Sequence, residues 1–129
     1  MPVAEVLKLV LSDHWFEEIK SGRKTHEYRE CKWFWINRLL NDRDDKEQLY
    51  RFVIDDSDFI DVPSQLNETS SISKRFIYQY DVVEFRKAYR KNAETMLFFI
   101  KKITIRNGKD TDLKIDKFVF DIELGRRLC

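Results

Sequence analysis

Apolar residues recur along this chain at two spacings, close to two and close to three and a half. Residues 6–11 (VLKLVL) form a β-branched apolar run that reads as a buried first strand. Ser12 or Asp13 then caps a helix with Glu17 and Glu18 in its early turns, and Trp15, Phe16 and Ile19 make its apolar face. Ser21-Gly22 stops that helix, glycine suiting the left-handed position just past the end. Residues 25–30 alternate: Thr25, Glu27 and Arg29 face one way, His26, Tyr28 and Glu30 the other. Residues 32–40 (KWFWINRLL) return to helical spacing. Trp33, Ile36 and Leu40 form a core stripe, Trp35 and Leu39 widen it, and Phe34 is left nearest to solvent.

Residues 41–75 break the pattern. Acidic and polar stretches interrupt two short apolar runs at 49–54 and 59–62, and a Ser/Asn-rich tract follows, so the segment reads as an insertion, partly ordered at best in its last third. From Phe76 onward the chain reads as sheet. Residues 78–86 make one strand, and 96–105 a longer one, with Leu97, Phe99, Ile103 and Ile105 in phase and a bulge expected at Lys101-Lys102. Phe118, Phe120, Ile122 and Leu124 alternate with Val119, Asp121 and Glu123, the clearest half-buried strand in the chain. Two early helices beside four or five strands predict a small α+β barrel or curved sheet.

Composition narrows this picture. The length of 129 residues suits one domain that buries roughly two thirds of its unfolded surface, and ten Phe supply apolar area for its core. No apolar run approaches the roughly eighteen residues that would span a bilayer, and the N-terminus lacks the basic start and small-residue cleavage site of a secretory leader. A cytoplasmic protein with no membrane partner is expected. Cys31 and Cys129 show no metal-ligand spacing and are expected to be free thiols. Asn67-Glu68-Thr69 has the N-glycosylation pattern, without significance in the absence of a leader. The acids at 55–58 lack the spacing and closing glutamate of a calcium loop, and neither metal nor cofactor is expected. The net charge of +1 is unevenly spread: residues 41–62 hold eight acids against three bases, a net of −5 that leaves +6 on the remainder. A basic body of this kind suits a polyanionic partner, although a mixed, solvated surface is the plainer reading.

The densest chemistry lies at 21–30, SGRKTHEYRE. Gly22, Lys24, Glu27 and Arg29 resemble the G-x-K-x-x-E-x-R signature of the ASCH domain, a branch of the PUA-like superfamily. The apolar strand and helix before the motif, the aromatic helix after it and the later YDVVEFRKAY extend the resemblance over most of the chain outside 41–75. It implies a single PUA-like domain over 1–129: a mixed β-barrel of five to six strands, short helices at its openings, and a cleft beside the motif that takes RNA or a modified nucleotide. A few members are enzymes, among them an amidohydrolase of acylated cytidine and a ribonuclease. In that amidohydrolase the motif lysine acts with a threonine three residues on, where this chain has Glu27, so the proposed nucleophile is missing. Ala88 also departs from the pattern, since relatives often carry glycine there.

The candidate ligand-binding set is Arg23, Lys24, Thr25, Glu27, Tyr28, Arg29 and Tyr89. Arg29 offers a planar fork to a phosphate or base edge, Lys24 a point charge, Glu27 an acceptor for an exocyclic amine, and Tyr28 and Tyr89 stacking surfaces. Lys24 and Glu27 would be the reactive pair were the protein a nucleoside-directed hydrolase. A Glu27–Arg29 ion pair that merely closes the strand, with no ligand, is the alternative on spacing alone. Arg86, Lys87, Arg90, Lys91, Lys101 and Lys102 are candidates for tracking a phosphate backbone. The acidic 41–62 segment is a candidate protein-contact surface.

Overall fold

The structure, a computed structural model, describes residues 5–55 and 60–129. Asp56, Ser57, Asp58 and Phe59, part of the calcium-loop comparison, the acidic stretch and the second apolar run, lie outside the described residues. So do the first four positions of the leader reading. The architecture is α+β. Its elements run β1 (Val6–Leu11), α1 (Asp13–Lys20), β2 (His26–Glu30), α2 (Trp33–Leu39), α3 (Arg43–Ile54), α4 (Val62–Ile72), α5 (Lys74–Ile77), β3 (Val82–Lys87), β4 (Thr95–Asn107) and β5 (Phe118–Arg127).

The five strands pair in the order β1-β3-β4-β5-β2. β1 is parallel to β3, with Leu9 opposite Phe85, and β3 is antiparallel to β4. The Leu124 N–H donates to the Thr25 carbonyl and the Cys31 N–H to the Phe118 carbonyl, each at 2.9 Å, so β2 runs antiparallel to β5.

The chain divides into two compact units. One holds the described residues up to Glu27 together with Tyr80–Lys101 and Glu123–Cys129; the other holds Tyr28–Gln79 and Lys102–Ile122. In the first, Leu7, Leu9 and Leu11 of β1, Phe16 and Ile19 of α1, and Val83 and Phe85 of β3 are buried. The core of the second is built from Ile36, Leu39, Leu49, Leu66, Ile77, Ile103 and Phe120. Among the described residues no helix is long and apolar enough to cross a membrane.

Several sequence expectations need correction. β1 is half-buried rather than buried throughout: Leu7, Leu9 and Leu11 face inward, while Val6 and Lys8 alternate with them on the exposed side. Tyr78 lies before β3 and forms an isolated bridge with Leu40. In β4 the buried phase is Met96, Phe98 and Ile100, not Leu97 and Phe99; consecutive exposure of Lys101 and Lys102 then slips the alternation by one residue, and Ile103 and Ile105 are buried beyond it. The alternation breaks at Lys101-Lys102, the place given to a bulge, with the opposite set of residues inward before it. Strand β5 is buried on both faces at 119–122, so packing covers the side that alternation left exposed; Asp121 is buried with Val119 and Phe120 and faces Arg106 Nη1 at 3.6 Å. Trp33 is not core but 43% exposed.

The tail of the 41–75 segment is ordered as helix. Asp61 caps α4 by accepting from the Ser64 N–H at 3.2 Å, and Pro63 occupies its first turn. Its own Val62, Pro63 and Leu66 are buried. The Asn67 amide reads the backbone of β4 in both directions: Nδ2 donates to the Ile105 carbonyl at 2.9 Å, and Oδ1 accepts from the Ile105 N–H at 2.8 Å. The asparagine of the glycosylation-like triplet thus has a structural use.

Candidate functional site

The motif begins as a helix stop. Gly22 has φ +85°, open to glycine and strained for other residues, and its N–H donates to the Ile19 carbonyl at 3.1 Å. Two residues on, the Lys24 N–H donates to the Glu18 carbonyl at 3.0 Å. Backbone hydrogen bonds therefore tie the lysine to the end of α1 before the chain enters β2. Lys24 Nζ sits 3.1 Å from Glu27 Oε1, with the two side chains only 10% and 7% exposed. The Trp15 ring covers the ammonium group, its centroid 4.2 Å from Nζ. Lysine and glutamate are rarely this buried, and an ion pair away from water gives up much of its attraction to desolvation. The pair and its aromatic cover all lie within the first unit.

Arg29, two positions beyond Glu27, belongs to the second unit. Its guanidinium carbon lies 5.1 Å from the Trp35 ring centroid. Arg38 approaches the same indole at 5.6 Å and the Phe34 ring at 6.0 Å. Two guanidinium groups thus converge on one tryptophan, beside a phenylalanine that is 58% exposed and packs edge-on against that tryptophan at 4.8 Å. Helical spacing placed Phe34 near solvent; that Arg38 would join Arg29 on Trp35 was not visible in the sequence, because the two arginines lie on different elements.

The other candidates are dispersed. Arg23 points to solvent and donates from Nε to Glu18 Oε2 at 2.8 Å, which holds the Glu18 carboxyl below its ordinary range. Thr25 is exposed and Tyr28 half-buried. Tyr89 is 88% exposed in the turn after β3. Three of the bases proposed to track phosphate are already matched with carboxylates: Lys87 Nζ with Glu17 at 2.6 Å, Arg90 with Asp13, and Lys101 with Glu123 at 3.5 Å. Burial, and secondarily the charge on Glu30, hold the Cys31 thiol far above its usual pKa, so it is not a nucleophile near neutral pH. Among the described residues no cluster of three His, Cys, Asp or Glu side chains could hold a metal ion.

Comparison of the chain with family models, with curated proteins and with solved structures finds no match.

Proposed function

We propose that the protein is a binding module for single-stranded RNA or a nucleotide, in which Arg29, the last residue of the G-x-K-x-x-E-x-R motif, supplies part of the contact surface. The observation that carries this reading is the convergence of Arg29 and Arg38 on Trp35 beside exposed Phe34. Planar guanidinium groups recognise phosphate through paired hydrogen bonds, and an exposed aromatic ring offers a face to an unpaired base. The resemblance of the motif to that of ASCH domains, and the PUA-like barrel it implies, support the same reading.

Fluorescence anisotropy with a short labelled single-stranded RNA tests the proposal. Binding is expected to weaken as salt rises. Arg38→Gln should reduce the salt slope by about one counterion, and Phe34→Ala should cost about 1–3 kcal/mol for one lost stack. Binding that is absent, or unchanged in both variants, overturns the reading. The shielded lysine–carboxylate pair keeps a second reading in play, a hydrolase of acylated nucleosides in which Lys24 moves the proton. Glu27 stands where a nucleophile is needed, and release of free cytidine from acylated cytidine, lost in Lys24→Met, is the result this reading requires.

A further inference from the structure

The second unit contains a cavity of about 580 Å³ that none of the residues 22–29 lines. Its walls are aromatic. Trp33 stands at the start of α2, Tyr50 and Phe52 on the last turns of α3, and Phe118 at the start of β5. They form two edge-to-face pairs, Trp33 with Tyr50 at 5.3 Å between centroids and Phe52 with Phe118 at 5.5 Å. Trp33 breaks with the stripe of its own helix: Ile36 and Leu39 are buried while it is not, and its indole borders this hollow. A smaller hollow of about 330 Å³ adjoins the same Trp33–Tyr50 pair. The volume falls within the range of roughly 300–1,000 Å³ typical of small-molecule sites, and a concave wall is where exposed aromatic area can be covered by a ligand.

The charged groups around it narrow the ligand class. Glu30 and Asp116 oppose Lys32 and Lys117, two of each sign, so the lining offers an ion of either charge no net attraction. The Asp116 carboxyl is held below its ordinary range, chiefly by the Asn107 amide at 3.0 Å and then by Lys109, and it stays an acceptor. Aromatic walls select a flat ring, and the presence of both donors and acceptors selects ring nitrogens and exocyclic amines over a plain hydrocarbon. We infer that this cavity is a binding site for an uncharged planar heteroaromatic compound of purine or indole size. It stands on its own lining and does not depend on the arginine cluster around Trp35.

Calorimetric titration of the full chain with adenine, and with cyclohexanol as a saturated ring, tests the inference. Saturable adenine binding that is insensitive to salt is expected, with cyclohexanol at least about tenfold weaker. Tyr50→Ala should weaken adenine by about tenfold or more, and Ile54→Trp, at an exposed lining position, should block the hollow. Arg38→Gln should leave adenine binding unchanged while it alters RNA binding, which separates this site from the one proposed above. Thermal melting of each variant confirms that it is folded. Absence of saturable binding, equal affinity for cyclohexanol, an unchanged Tyr50→Ala variant, or loss of adenine in Arg38→Gln would each overturn it.

Discussion

Ala88 holds its backbone at φ +59°, in the left-handed region that costs a residue with a Cβ about 1–2 kcal/mol. The conformation is imposed from outside: the Ala88 N–H donates to the Leu11 carbonyl at 2.8 Å, just where β3 leaves the sheet. Glycine would remove the strain and give back part of the gain through a freer unfolded chain. Ala88→Gly is therefore expected to raise stability by about 0.5–1 kcal/mol, read as a higher urea midpoint with an unchanged slope. A lower midpoint would show that the methyl group contributes packing worth more than the strain.

At the scale of elements, helix α4 is held to β4 through Asn67. Its amide satisfies both backbone groups of Ile105, so Asn67→Ala leaves a donor and an acceptor without those partners in a half-buried setting. A loss of about 1–3 kcal/mol in chemical denaturation is expected, and a loss well under that would mean water replaces the amide freely. Helix α1 and the turn between β3 and β4 are joined differently, by Lys87–Glu17, Arg90–Asp13 and Lys20–Glu94. The hydrogen bond from Lys87 is the main cause that holds the Glu17 carboxyl below the usual carboxylate range. An acid whose pKa falls on folding stabilises the protein above its unfolded pKa, and that contribution fades as the pH drops through the folded value. The melting-temperature gap between the wild type and Glu17→Gln should accordingly shrink from about pH 6 to about pH 3. A gap that is constant across the range would show that the pair carries no linked proton. The sequence showed these charges but not their matching, because the partners are some seventy residues apart along the chain.

For the molecule as a whole, the Lys24–Glu27 pair decides whether the motif is a stability device or something retained at a cost. Lys24→Met removes the ammonium beside a carboxylate that is only 7% exposed and should cost up to about 3–5 kcal/mol. The double variant Lys24→Met/Glu27→Leu should recover most or all of that loss, measured by denaturation, because an apolar pair needs no desolvation of charge. Recovery beyond the wild type would mean that the pair is kept for a reason other than stability. A single variant as stable as the wild type would mean that the carboxylate does not depend on the lysine, which would overturn the pair as a stability device.

Local rules were enough for what depends on neighbours in the sequence. Ser12 as a cap, Gly22 at φ +85°, and the helical repeat that brings Ile36 and Leu39 inward all follow from capping, backbone sterics and periodicity within a few residues. Where an element is covered from a second side, those rules stop. Strand β5 is buried on both faces at 119–122 where its alternation alone left one face open, and β4 turns Phe98 rather than Phe99 inward. Tertiary contact alone likewise brought Arg38 beside Arg29, covered Lys24 with Trp15, and opened the aromatic hollow at Trp33. A periodic pattern states which residues share a face, whereas only the packed partner determines whether that face meets protein, water or a ligand.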